Sequence, residues 1–199
     1  MSNAAQLAPP GAGLPTLERW FSRTLLQALR IFLSKDALTR WLRRETETVL
    51  ALAASLPPAL ACLPVIVPRV TGLEDSSRGW SANMVLRHLV IVDTGIRQIA
   101  EAFSDNNPFD REVRIAEVKP ELTAGAEQHA LLRAAVDDYA RLIDRLGDLR
   151  SPLRHAHPWF GQLDLRGWHA LAAMHTTAHR RQMQHIVARQ MPGNQPPRR

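Results

Sequence analysis

The sequence predicts an all-α protein, a four-helix bundle carrying one additional helix at its N-terminus. Three observations carry this expectation. Ala, Leu and Arg dominate a chain of 199 residues that is 45% hydrophobic, a balance that favours helix over sheet. Apolar positions recur at helical spacing in five long segments, set apart by proline, glycine and short polar residues. No convincing alternation of apolar and polar residues marks a half-buried strand. The length suits one domain with a full core and is short for two.

Residues 1–15, with Pro9, Pro10, Gly11 and Gly13, read as a disordered tail. An amphipathic helix follows over 16–35. Leu17, Trp20, Phe21, Leu25, Leu29, Phe32 and Leu33 share its broad apolar face, and Arg19, Arg23, Arg30 and Lys35 occupy much of the rest. Such a face ordinarily covers its own domain's core, and its aromatic surplus also offers a homodimer contact. The second helix begins near Asp36, an acceptable N-cap, and is stopped at about Ser55 by Pro57 and Pro58. Residues 57–79, rich in proline and small side chains, read as a loop that crosses over or rims a cavity.

Ser81 is the expected cap of the third helix, which carries His88 and runs to about Phe103 before Ser104-Asp105-Asn106-Asn107-Pro108 breaks it. The fourth covers about 123–146, with Leu131, Leu132, Ala135, Val136, Tyr139, Leu142 and Ile143 as its apolar positions and Gly147 as its stop. Residues 151–161 form a loop into the last helix, capped near Asp164 and ending before Pro192 and Gly193. The bundle proper is thus expected over 36–190, with a flexible tail over 191–199.

The chemistry concentrates in histidines. His175 and His179 stand four residues apart, so both imidazoles lie on one helical face, one turn apart. Trp168, Leu171, Gln182 and Ile186 share that stripe, and His88 shares another with Met84, Val85, Leu89, Val92 and Ile96. Three histidines are therefore committed to the inside of a helical protein. A buried imidazole needs partners for both ring nitrogens, and ligation of a divalent transition metal satisfies one of them. The alternative is three core histidines, each hydrogen-bonded to a carbonyl or side chain. A zincin protease is excluded, because Thr176 stands where its general-base glutamate must follow the first histidine.

Other residues invite weaker readings. Asp93, five beyond His88, reads either as a general base or acceptor for a ligand, or as a solvated helix-surface carboxylate. Gln182 reads as an orienter of His179 or as ordinary bundle packing. His155 and His157 read as cavity-mouth or turn residues, with Trp80, Trp159 and Phe160 as companions around a small-molecule substrate. His169 and His185, each six positions from a proposed ligand, are expected to point away, at a surface or interface.

Composition narrows the function classes. The formal charge is +6, yet the cations are spread over several helices with no basic run interleaved with aromatics, which argues against nucleic acid. Cys62 is the one cysteine, so no intrachain disulfide forms, and its apolar, proline-flanked setting suggests a packed, inert thiol. No basic segment followed by an apolar core opens the chain, and four prolines cross its longest uncharged stretch, 49–68. A membrane partner is accordingly disfavoured and a soluble cytoplasmic protein expected.

Taken together and in order, Trp80-Ser81, then Met84-Val85-Leu86-Arg87-His88-Leu89, then His157-Pro158-Trp159-Phe160-Gly161-Gln162-Leu163, then His175 with His179 and Gln182 resemble the DinB-like superfamily over roughly 36–190. The resemblance implies a four-helix bundle holding a divalent metal, most often zinc or nickel, on a triad here formed by His88, His175 and His179. It implies Lewis-acid activation of water or of a low-molecular-weight thiol, and so a hydrolase or thiol transferase acting on a small molecule. A non-catalytic metal- or small-molecule-binding protein of stress responses is the alternative. The helix at 16–35 lies outside the resemblance.

Overall fold

The computed structural model describes residues 7–9 and 11–191; the remainder of the two expected tails, 1–6, 10 and 192–199, lies outside the described residues. Four long helices close a ring: α2 (Lys35–Ala54), α4 (Ala82–Ser104), α5 (Gln128–Arg145) and α6 (Leu165–Gln190), with α2 packed on α5 and α6, and α4 packed on the same two. The added helix, α1 (Thr16–Phe32), lies against α6, and a single turn, α3 (Pro58–Ala61), follows α2. This is the four-helix bundle with an N-terminal extension that the periodicity implies.

The core is built from the stripes that the sequence presents inward. Leu38, Leu42 and Val49 of α2 meet Val85, Leu86, Leu89, Ile96 and Ile99 of α4, Leu132, Val136 and Ile143 of α5, and Trp168, Leu171, Met183 and Ile186 of α6. Removal of this apolar surface from water is the main force holding the ring together. Caps then fix where helices begin. Ser81 Oγ accepts from Met84 N at 3.2 Å, and Asp164 Oδ1 accepts from Gly167 N at 2.9 Å, which satisfies amides that helix starts leave unpaired.

Several expectations need correction. The cap of α2 is Ser34, whose Oγ accepts from Ala37 N at 3.1 Å, and Asp36 lies in the first turn, where its charge favours the helix dipole. The fourth long helix, α5, starts at Gln128 rather than 123, because turns run through 122–127 and Glu127 folds back to accept from Gly125 N. The described part of the N-terminal tail is tied down. Ala8 N donates to Asp75 Oδ2 at 2.8 Å, Gly13 N donates to Glu74 Oε1 at 2.9 Å, and Leu14 is buried. Gly11 and Gly13 take φ of 86° and 80°, a region that favours glycine.

The segment 151–161 is more than a loop. Strand β1 (His155–His157) pairs antiparallel with β2 (Gly161–Leu163), and His157 lies opposite Gly161, whose φ of 73° lets the three-residue turn close. Three-residue strands are too short to show an alternating pattern. Helix α1 also covers less than its composition suggests. Leu26 is buried, and Leu29 and Leu33 pack on the core, but Leu17, Trp20, Phe21 and Phe32 are exposed, from 58% to 84%. Its apolar face is wider than the surface α6 offers. Cys62 is exposed rather than packed, at the end of α3. Among the described residues, no helix is long and apolar enough to cross a membrane.

Candidate metal centre

The faces of α4 and α6 bring His88, His175 and His179 together. His88 Nε2 lies 3.1 Å from His175 Nε2, which lies 3.1 Å from His179 Nε2. The other ring nitrogens explain how this convergence is held. His88 Nδ1 is 2.6 Å from the Val118 carbonyl, in a 3₁₀ turn over Ile115–Val118. A carbonyl only accepts, so Nδ1 carries the proton and Nε2 presents its lone pair. His179 Nδ1 is 2.8 Å from Gln182 Oε1, while Gln182 Nε2 donates at 2.6 Å to the Ser77 carbonyl. That second bond fixes the amide orientation and assigns His179 the same tautomer.

His88 and His179 therefore both direct lone pairs towards His175 Nε2, which carries at most one proton. At least one acceptor is left unserved whichever tautomer His175 adopts, and its Nδ1 is itself buried without a partner among the described residues. A divalent cation would take all three lone pairs. Zinc–nitrogen bonds of about 2.0–2.1 Å in tetrahedral array set ligand nitrogens about 3.3–3.4 Å apart, so a few tenths of an ångström of expansion accommodates the ion. The donor set fits. Burial drives the His88 pKa down to about 4, with the Lys119 ammonium adding to the effect. Burial, then the neighbouring imidazoles, hold His175 and His179 well below the ordinary range. All three stand neutral at physiological pH, as ligation requires.

The triad lines a cavity of about 540 Å³, a size typical of small-molecule sites. Trp80 lies parallel to the His179 ring at 5.9 Å, with an interplanar angle of 2°, and tilts over His88 at 5.0 Å. His157, Trp159, Phe160 and Trp168 contribute further wall from the hairpin and from α6. Trp80, His157, Trp159 and Phe160 thus all line the same cavity as the triad, and Gln182 bonds a triad member directly.

Asp93 does neither. It is 1% exposed, in the interior beside Tyr139, and both carboxylate oxygens lack partners among the described residues. Burial raises its pKa to about 7. The solvated-surface reading is wrong because α4 is enclosed by α5 and α6 along this side. His169 is likewise internal, with 0% exposure: Tyr139 Oη donates to its Nδ1 at 2.9 Å, and its Nε2 donates to the Lys35 carbonyl at 3.1 Å. Only His185 is exposed, as expected. Sequence reasoning missed the Val118 and Ser77 carbonyls, since main-chain acceptors leave no residue-type signal, and Lys119, which lies 31 residues along the chain from His88.

Fold and site define a helical bundle with a three-histidine cluster in the wall of a largely apolar cavity. Among solved structures, the chain is similar to the four-helix bundle protein TT2238, with 22% identity and a TM-score of 0.56 over 76% of this chain and 98% of that one. At that identity the likeness establishes the bundle fold. No family model and no curated protein matches the chain.

Proposed function

We propose that this protein is a divalent-metal-dependent enzyme of the DinB-like kind, a cytoplasmic hydrolase or thiol transferase acting on a small molecule, with His88, His175 and His179 as ligands of zinc or nickel. The convergence of three neutral imidazoles on one point in the wall of a largely apolar cavity supports this reading. No fourth histidine, cysteine or carboxylate joins the cluster among the described residues, so open positions remain for substrate. Bound there, the cation supplies Lewis-acid activation, bringing the pKa of water or of a low-molecular-weight thiol towards neutrality.

The chain's own residues do the positioning. Val118 and Gln182 hold two imidazoles in one tautomer and orientation, and the pinning of Gln182 to Ser77 keeps that support from rotating. Trp80 covers the His179 face and limits water at the ligands. The largely apolar walls would take the body of the substrate.

Elemental mass spectrometry of tag-free protein tests the centre. Near-stoichiometric metal is expected in the wild type and lost in both His88→Ala and His175→Ala/His179→Ala. Protein that is metal-free and takes up neither zinc nor nickel overturns the reading. A metal-loaded protein showing no chelator-sensitive turnover across thioester, ester and thiol-electrophile panels would be a binding protein instead.

A further inference from the structure

The hairpin fixes a fourth histidine in the cavity wall in one protonation state. His157 Nδ1 lies 3.1 Å from the main-chain N–H of Trp159, two residues on, across the turn that Gly161 closes. An amide N–H only donates, so Nδ1 must accept, which excludes both the Nδ1–H tautomer and the imidazolium. The proton therefore resides on Nε2. The ring is clamped, with Phe160 at 4.8 Å and Trp168 at 5.6 Å between centroids, and it lines the cavity that holds the triad. Nε2 makes no hydrogen bond among the described residues and belongs to a ring in the cavity wall. It also stands outside the converging ligand cluster.

We propose that His157 is a positioning residue, a neutral, preorganised Nε2–H donor that holds a carbonyl or carboxylate oxygen of an apolar ligand inside this cavity. The walls select the ligand's body, since Trp80, Trp159, Phe160, Trp168 and Leu171 present aromatic and aliphatic surface. The donor selects its oxygen. A fixed N–H in a largely apolar pocket orients an acceptor at little reorganisation cost, because its partner on the other nitrogen already sets the ring plane. The inference deepens the proposed function by naming the substrate class, an apolar acyl or carboxylate compound of aromatic size, but the donor geometry stands without a bound metal.

Two measurements test it. Long-range ¹H–¹⁵N spectra of the histidine rings, assigned by comparison with His157→Gln, should show His157 as the Nε2–H tautomer, unchanged from pH 8 to pH 5. An Nδ1–H pattern, or protonation with a midpoint near 6.5, overturns the proposal. Binding is then followed by tryptophan fluorescence with 2-naphthoate and with naphthalene, on metal-free and zinc-loaded protein. His157→Phe, which keeps a ring but no donor, should weaken 2-naphthoate about tenfold and leave naphthalene unchanged. His157→Gln, which restores an N–H, should bind 2-naphthoate within about threefold of wild type.

Equal loss of both probes in His157→Phe, or loss of neither, refutes a donor role, as does wild-type protein that fails to bind 2-naphthoate. A donor effect in protein that takes up no zinc would sink the metal reading alone. Normal zinc uptake without a donor effect would sink this one alone.

Discussion

Gln182 offers a sharp test of how the histidine cluster is organised. It is 1% exposed, accepts from His179 Nδ1 at 2.8 Å, and donates to the Ser77 carbonyl at 2.6 Å. Gln182→Leu keeps most of the volume and removes both bonds. The His179 N–H and the Ser77 carbonyl are left buried and unpaired, each at a cost of about 1–3 kcal/mol, so unfolding free energy should fall by about 2–6 kcal/mol. Loss of the acceptor behind a ligating imidazole weakens metal binding by about 10–100-fold, equivalent to about 1.4–2.8 kcal/mol. Gln182→Glu separates the two effects. A carboxylate still accepts from His179 but cannot donate to Ser77, so stability should fall while zinc affinity is kept. Competitive titration of zinc against a chromophoric chelator reads affinity, and urea denaturation reads stability. If Gln182→Leu bound zinc as tightly as the wild type, or if Gln182→Glu lost as much affinity as Gln182→Leu, Gln182 would not be the support of His179.

Three further outcomes follow from the buried titratable groups. Because burial holds His88 near pH 4 and the other two ligands well below their ordinary values, protons compete weakly with a metal; zinc affinity should be nearly flat from pH 8 to 6 and fall below about pH 5. A steep loss already between pH 7 and 6, seen in the chelator assay, would contradict the burial argument. Asp93 has a folded pKa raised from 3.8 to about 7, so the unfolded chain releases its proton first and stability declines as pH rises from about 4 to 7; the full displacement costs about 4 kcal/mol. Asp93→Asn should match the wild type near pH 4 and exceed it at pH 8 in urea melts, and a pH-independent difference would show that Asp93 is not buried as an acid. Tyr139→Phe leaves His169 Nδ1 without a donor in the core and should cost about 1–3 kcal/mol with no change in zinc affinity.

Legibility followed the physics of each signal. Helical periodicity runs over many residues and survives local exceptions, so the bundle and the inward faces of His88, His175 and His179 were readable. Capping chemistry was readable where one candidate stood alone, at Ser81 and Asp164, and misassigned where Ser34 and Asp36 competed two residues apart. His169 went astray because facing away from one site does not mean facing solvent. Helix α6 is enclosed on several sides, and its far face meets Tyr139 and Thr39 rather than water. Cys62 failed for the opposite reason: apolar neighbours in sequence do not bury a residue at the end of a single helical turn. The Val118 and Ser77 carbonyls were unreadable in principle, since any residue carries that acceptor.

The helix that the resemblance leaves out is part of the cavity's construction. Arg23 Nε of α1 donates at 2.5 Å to the Trp159 carbonyl, in the same hairpin turn whose amide holds His157 Nδ1. Arg30 Nε lies 2.9 Å from Asp164 Oδ1, the atom that also caps α6 through Gly167. Glu18 ties the other end of α1 to Arg69 and to the Gly72 amide, and Gly72 also lines the cavity. These three contacts brace the hairpin, the start of α6 and the loop before the 3₁₀ turn at Asp75–Gly79. Phe21 and Leu25 extend the cavity's apolar wall from the same helix. Arg30→Met should therefore disturb more than one exposed ion pair. It leaves Asp164, largely buried, with a charge that α1 no longer balances. Weaker 2-naphthoate binding with zinc affinity unchanged is the expected result, since α1 bonds the wall but none of the ligands. An equal loss of zinc affinity would mean that α1 supports the triad itself.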